Sequence, residues 1–295
     1  MRILVTGVSG QVGAALVTRL HNEDVIAASR SVIDLAQPNN IAAVLDKLNP
    51  AIIINAAAYT AVDQAETEWE LAQLVNSVAP GAIARWASVH GVPLIHFSTD
   101  YIFDGHGQAP WHAAGPLSVY GRTKLDGEHA IRAAGGIFLI VRTSWVYATT
   151  GKNFLRTITR LACEREQLRI VADQIGAPTS AALIADCVRK MLEGDLESFF
   201  DRCALSNGVV HLTTSGETSW YGFACAIVDG LRKRGVNLTV DKVVPIKTED
   251  YPTPAKRPLN SRLDLARLRQ VFKITPAYWL DVLKPELDAL ADELK

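Results

Sequence analysis

The sequence has no surplus of either charge. Its 295 residues hold 30 lysines and arginines against 31 aspartates and glutamates, a net of -1 at pH 7. A chain that grips nucleic acid through its phosphates needs a basic excess, and there is none. Long apolar runs are missing too: no uncharged stretch approaches the ~20 residues that span a bilayer. Cysteine is scarce and scattered. Cys163, Cys187, Cys203 and Cys225 form no C-x-x-C pair, which speaks against a disulfide frame or a thiolate zinc site. At 48% hydrophobic and 21% charged, the composition excludes disorder and low complexity. The opening MRILVTG meets a glycine too soon for a secretion signal. A soluble, cytoplasmic globular protein is expected, with neither nucleic acid nor membrane as partner.

What is present is alternation. Short apolar runs at 2–6, 24–28, 51–55, 93–98 and 137–143 read as strands, and AIIIN at 51–55 is apolar on both faces. That pattern belongs to a parallel sheet covered on both sides. Between them lie helical periodicities at Gln11 to about His21, around Ile41–Leu48, over roughly 63–78 and 80–90, and from about Ser118. A glycine- and proline-rich loop is expected over 102–117. Later helices are expected near 153–165, 180–193, 218–234 and 276–293, with strands near 168–172 and 209–213 and an ordered loop over 251–262. No internal repeat is evident. The order predicts a doubly wound, Rossmann-like α/β sheet: a dinucleotide-binding domain over 1–150, then a smaller, interleaved substrate lobe over 151–295, with parts of the chain returning to the first domain.

Gly7, Gly10 and Gly13 stand at G-x-x-G-x-x-G spacing between the first strand and first helix. Glycines let backbone approach a pyrophosphate, and the free N–H groups of the helix start supply positive dipole. A tight strand–helix turn without ligand would use the same residues, so the strand-before, helix-after context carries the assignment. Gln11 and Val12 complete the turn. Which dinucleotide binds is decided after strand two, where a carboxylate suits NAD and a basic residue suits NADP. The residues there are Ser29-Arg30, with no acid before Asp34. NADP(H) is therefore expected, with NAD(H) an alternative, and Asp34-Leu35 would flank the adenine. Asn55-Ala56-Ala57-Ala58 offers small side chains where a cofactor could lie on backbone.

Tyr120 and Lys124 are four apart, on one face of the helix after strand four, and Thr99 ends that strand. A free phenol, with pKa about 10, holds its proton too well near pH 7. A lysine cation beside it would stabilise phenolate and lower that value. Tyr120 could then protonate a carbonyl oxygen as hydride reaches its carbon, with Thr99 polarising that carbonyl and Lys124 on the nicotinamide ribose. Trp145, just past strand five, could stack on a sugar or base, and Arg257 could grip a diphosphate.

The glycine turn, Ser98-Thr99-Asp100-Tyr101-Ile102-Phe103 and Tyr120–Lys124 resemble the extended short-chain dehydrogenase/reductase superfamily. Within it, residues 55–63 (NAAAYTAVD), 142–147 (RTSWVY), 173–179 (DQIGAPT), 252–258 (PTPAKRP) and 260–263 (NSRL) resemble the dTDP-4-dehydrorhamnose reductase family almost end to end. The resemblance implies reduction of the C4 ketone of a dTDP-linked 6-deoxy-hexulose. It makes Tyr120 the proton donor, gives Thr99, Asp100 and Trp145 to the sugar nucleotide, and gives Gly10, Gln11, Val12, Ala58, Tyr59 and Thr60 to the cofactor. Some members hold Mg²⁺ at a dimer contact through glutamates. Here those places read Gly13-Ala14-Ala15-Leu16 and Ser180-Ala181-Ala182-Leu183, and alanine offers a hard cation no oxygen. No metal is expected, and a monomer or a weak homodimer without a metal bridge follows.

Two rivals share the fold. A regulatory subunit resembling that of methionine adenosyltransferase would not need Tyr120, Lys124 and Thr99, yet all three are present. A sugar-nucleotide epimerase or dehydratase retains NAD; dehydratases place Asp-Glu after the threonine, where this chain has Asp100-Tyr101.

Overall fold

The computed structural model describes residues 1–107 and 115–294. In chain order the first half runs β1 (Arg2–Thr6), α1 (Gln11–Arg19), β2 (Asp24–Ala28), α2 (Ile41–Leu48), β3 (Ile52–Asn55), α3 (Trp69–Gln73), α4 (Ala79–His90), β4 (Leu94–Thr99), α5 (Val119–Ala134) and β5 (Phe138–Thr143). The second runs β6 (Val146–Tyr147), α6 (Phe154–Glu164), β7 (Gln167–Val171), β8 (Ile175–Gly176), β9 (Thr179–Ser180), α7 (Ala181–Met191), α8 (Leu196–Leu205) and β10 (Val209–His211). It ends with β11 (Thr218–Ser219), α9 (Trp220–Lys233), β12 (Lys242–Ile246), α10 (Ala266–Phe272) and α11 (Trp279–Leu294).

Six parallel strands form the main sheet in the order β10-β5-β4-β3-β1-β2. Every residue of β3 and β4 is buried, as expected of the central strands of a parallel sheet covered on both faces. One face packs against α1, α7, α8 and α10 through Leu16, Ile184, Val188, Phe199 and Phe272; the other packs against α2, α4 and α5 through Leu45, Ile83, Trp86 and Ile131. Strand order reverses between β1 and β3, so the crevice of an open α/β sheet falls at their carboxyl ends. A separate core gathers Leu155, Ile158, Phe223, Ile227, Leu283 and Leu287 from α6, α9 and α11 with Leu168 of β7.

The expected doubly wound sheet is thus observed, and β10 shows the chain returning to it after residue 200. The helices α8 and α10, the strand β12 and the two-residue strands β6, β8, β9 and β11 were not anticipated. α10 has only seven residues, too few for periodicity to register. β12 contains Pro245, which reads against a strand; it is tolerated because β12 pairs only with β7, in a two-stranded ladder. The single helix expected over 63–78 is broken into a 3₁₀ turn (Gln64–Glu66), α3 and a π-helical turn (Leu74–Val78). Of the loop expected over 102–117, residues 108–114 lie outside the described residues.

The helix α5 carries Tyr120, Lys124 and Glu128 at four-residue spacing, all buried against the sheet. Glu128 is 1% exposed; it accepts from Arg142 Nε at 2.9 Å and Nη2 at 2.6 Å, and from Ser98 Oγ at 2.6 Å. Removing one partner of a buried, bidentate pair strands the other charge. Glu128→Leu should therefore destabilise the protein by about 3–5 kcal/mol in urea unfolding; a loss below ~1 kcal/mol would show that α5 is held by its apolar contacts alone.

Candidate active site

The turn after β1 is built for close backbone approach. Gly7 has φ +69°, and a Cβ there would lie 2.6 Å from the Ala57 nitrogen. A Cβ on Gly13 would come within 2.2 Å of the Gly7 carbonyl oxygen. Gly10 caps α1 with no side-chain hydrogen bond, and no acid stands in the first turn, so the helix start is open to an anion. Gln11 is tied across the molecule: Asn153, the N-cap of α6, donates to Gln11 Oε1 at 2.9 Å. Val12 packs on the core beside the turn.

After β2, Ser29 Oγ lies 2.7 Å from Ser31 Oγ. Arg30 is mostly exposed and donates from Nε to Asp34 Oδ1 at 3.2 Å. Leu35 is buried in the core formed by α2 and α4. After β3, Ala58, Tyr59 and Thr60 follow Ala57, which sits against Gly7. Tyr59 is clamped by a residue the sequence reading passed over: Asn76, in the π-helical turn, accepts from Tyr59 N at 2.8 Å and donates to its carbonyl at 3.1 Å. Asn76 also donates to Thr123 Oγ1 on α5, at 3.2 Å. The Tyr59 hydroxyl donates to Glu68 at 2.8 Å; loss of solvent, and then this carboxylate, raise its pKa.

Thr99 ends β4, accepting from Tyr101 N at 3.2 Å and donating to Asp100 Oδ1 at 3.1 Å. Its hydroxyl is the hydrogen-bonding neighbour of Tyr120, whose ring packs edge-on to Tyr101. Here the chemistry departs from expectation. Burial pushes the Tyr120 phenol up to about 12, and only Thr99 acts to lower it. The ammonium of Lys124, 2% exposed, is turned instead to the Phe97 carbonyl at 2.6 Å and His96 Nε2 at 3.1 Å. Burial lowers Lys124 to about 8, against a raising field from Glu128.

Asp100 is buried; its Oδ2 has no partner among the described residues, and burial raises its carboxyl to about 6 despite hydrogen bonds from Ser261 and Thr99. Trp145 adopts φ 50°, in the left-handed region, and stacks on Trp220 of α9 at 3.7 Å between centroids. Arg257 donates to Asp63 Oδ2 at 2.7 Å, while its Nη1 is buried without a partner among the described residues. A cavity of about 670 Å³ opens beside it, lined in part by Asp104, His106, Lys247, Tyr251 and Lys256. Thr99, Tyr120 and Asp100 are thus brought together, whereas Trp145 and Arg257 come from other segments. Neither Trp220 nor Asp63 was singled out in the sequence. Among the described residues, no group of three or more His, Cys, Asp or Glu side chains could hold a metal ion, and no helix is long and apolar enough to cross a membrane.

A parallel sheet with a glycine turn at its switch point and a buried Tyr–Lys helix defines a Rossmann-fold oxidoreductase of the short-chain reductase type. The family model described as "RmlD substrate binding domain" matches residues 1–291. A curated relative, dTDP-4-dehydrorhamnose reductase of Escherichia coli K12, is 42% identical over 308 residues, covering 98% of each chain. The crystal structure of a dTDP-4-dehydrorhamnose reductase from Clostridium acetobutylicum has TM-score 0.88 at 35% identity, covering 98% of this chain and 99% of that one. Another, from Bacillus anthracis in complex with NADP, has TM-score 0.86 at 31% identity and the same coverage. The chain belongs to this family of dTDP-4-dehydrorhamnose reductases.

The raised carboxyl has a cost. Asp100 titrates at 3.8 in an unfolded chain and at about 6 in the fold, so stability contributed below pH 3.8 is lost as pH rises through 6. Asp100→Asn, neutral at every pH, should raise stability by roughly 1–3 kcal/mol at pH 7 and leave it unchanged at pH 3.5. Thermal unfolding at the two pH values measures this; an equal effect at both would mean that the gain is not a charge effect.

Proposed function

We propose that the protein reduces the C4 ketone of dTDP-6-deoxy-L-lyxo-4-hexulose to dTDP-L-rhamnose, taking the proton from Tyr120. The observation that carries this is the buried trio of Thr99, Tyr120 and Lys124 by β4, in a parallel sheet whose first strand leads into a glycine turn shaped for a dinucleotide. When bound, NADPH supplies the hydride. The residues to hold it are Gly7, Gly10, Gln11, Val12 and Gly13 at the pyrophosphate, Ser29 and Arg30 at the 2′-phosphate, Asp34 and Leu35 near the adenine, and Ala58, Tyr59 and Thr60 after β3. NADH is the weaker alternative.

Burial keeps the Tyr120 proton in place at neutral pH, the state a proton donor requires. Thr99 Oγ1 is a donor beside that phenol and can turn from Asp100 to the substrate oxygen. Once Tyr120 has given its proton, a buried phenolate needs a cation, and Lys124 is one turn away. The unpartnered Asp100 Oδ2 and Arg257 Nη1 are suited to a sugar hydroxyl and a diphosphate respectively. Trp145, stacked on Trp220, offers an aromatic wall for the same nucleotide. The core formed by α6, α9 and α11 is the substrate lobe in this reading. A cytoplasmic enzyme, monomeric or weakly dimeric without bridging metal, completes it.

The assay is NADPH oxidation with the 4-keto-6-deoxy-hexulose nucleotide, with product stereochemistry identified. Tyr120→Phe should lower kcat by about 10²–10⁴ with both ligands still bound. Because the reaction needs Lys124 charged, wild-type kcat should fall as pH rises through about 8. Near-normal turnover of Tyr120→Phe would remove the tyrosine from its role, and NAD still bound to purified protein would favour an epimerase.

Arg30 bears on the cofactor. A guanidinium bonds a 2′-phosphate through two N–H groups, but here it must leave Asp34 to do so. Charge-assisted bonds of about 1.5–3 kcal/mol give a preference for NADPH of roughly 10- to 150-fold in kcat/KM, shrinking with salt. Arg30→Asp should bring the two cofactors near parity, chiefly through KM for NADPH. Equal kcat/KM for both in the wild type would show that Arg30 serves Asp34 alone.

A further inference from the structure

Behind Lys124 runs a closed chain of buried polar groups to which the reduction assigns no part. Thr6 Oγ1 donates to Asn55 Oδ1 at 2.6 Å, Asn55 Nδ2 lies 3.0 Å from His96 Nδ1, and His96 Nε2 lies 3.1 Å from Lys124 Nζ. The residues come from the ends or middle of β1, β3, β4 and α5, and all four are 2% exposed or less. A histidine in the middle of an apolar, fully buried strand is otherwise an expensive choice. Its ring is held neutral by burial and by the neighbouring ammonium.

We propose that His96, backed by Asn55 and Thr6, is the positioning residue of Lys124, and that this chain reverses its hydrogen bonds whenever Lys124 gains or loses its proton. The inference rests on the reading that Lys124 serves Tyr120. With the amide as placed, Asn55 donates to His96 Nδ1, so the ring proton sits on Nε2 and faces an uncharged amine. An ammonium is donor-only. When Lys124 is charged it donates to Nε2, the ring proton moves to Nδ1, and the Asn55 amide turns its oxygen to accept it. Thr6 then accepts from the Asn55 amide nitrogen. In both registers each group from Asn55 to Lys124 keeps a partner and no net charge is added. A carboxylate could not do this without adding a charge, nor could an apolar residue without stranding Asn55. The other N–H fixed by protein goes to the Phe97 carbonyl, which leaves one donor of the ammonium for the cleft. Among the described residues the charge bearing on Lys124 is Glu128 on α5, itself closed by Arg142 of β5 and Ser98 of β4.

Two measurements test it. In ¹⁵N-histidine-labelled wild type, long-range ¹H–¹⁵N spectra should show a His96 ring that stays neutral between pH 6 and 9.5. Its protonated nitrogen should change from Nδ1 to Nε2 as pH rises. A single tautomer over that range, or a ring that becomes charged, overturns the proposal whatever the activity. In kinetics, His96→Leu should move the alkaline limb of kcat down by about 1–2 pH units, the size of one lost bond to a charged group, and so lower kcat at pH 7 by roughly 2- to 10-fold. His96→Gln, which can donate or accept at the Nε2 position, should recover most of both. An unmoved limb in His96→Leu, or no recovery in His96→Gln, would reduce His96 to a packing residue. Should His96→Leu fail to fold, the spectra and the His96→Gln limb decide. A wild type that does not reduce the keto-sugar nucleotide would instead overturn the assigned reaction, and the tautomer measurement would still stand.

Discussion

The face of α5 that meets β4 fixes the geometry of the cleft. Lys124 and Glu128 are charged groups taken almost wholly out of water, a step that costs several kcal/mol per ion unless their bonds are made inside. Those bonds run to β4: the Phe97 carbonyl and His96 take Lys124, and Ser98 takes Glu128, with Arg142 of β5 closing the pair. Three consecutive residues of one strand therefore hold two side chains one helical turn apart. A slide or rotation of α5 would break all of them together. Tyr120, one turn earlier on the same face, is thereby set beside Thr99, where the strand ends. Apolar packing alone would not specify that register.

The same burial explains why the site is costly. It raises the Tyr120 phenol to about 12 and the Asp100 carboxyl to about 6, and lowers Lys124 to about 8. Each shift keeps a group nearer its neutral form than water would. For a proton donor this is useful, since the proton must stay until the substrate oxygen takes it. For Asp100 it is a standing loss, and its own Oδ2 has no partner among the described residues. Trp145 shows the same economy of local strain: a non-glycine residue at φ 50° is held there by stacking on Trp220.

Segments distant in sequence converge on the cleft through a few polar ties. Asp63, after β3, accepts from Arg257 and from the Ala255 nitrogen, and so binds the 252–258 stretch to the first half of the chain. Asn153 reaches back to Gln11 in the glycine turn. Asn76 joins Tyr59 to Thr123 on α5. The first two ties bring residues of the second half of the chain to within a hydrogen bond of the first.

The doubly wound sheet was legible because its causes are local. Apolar runs such as AIIIN, the glycine spacing of the first turn, and a tyrosine and lysine four apart are patterns of period and spacing, and each predicts its own element. Motif blocks from Asn55 to Leu263 carried the family for the same reason. What sequence could not yield is whatever depends on partners far along the chain. Pro245 hides β12 until β7 is seen beside it; the π-helical turn at Asn76 appears only once Tyr59 needs its backbone bonds satisfied. His96 stands out in PLIHFS as a ring nitrogen pair in the middle of an apolar run, but its partners lie 41 residues before it and 28 after it. The expected lowering of the Tyr120 pKa by Lys124 failed on the same ground. Spacing on a helix put the two on one face, but only the fold decided that the ammonium turns toward β4, because burial there required its bonds to be made with His96 and the Phe97 carbonyl.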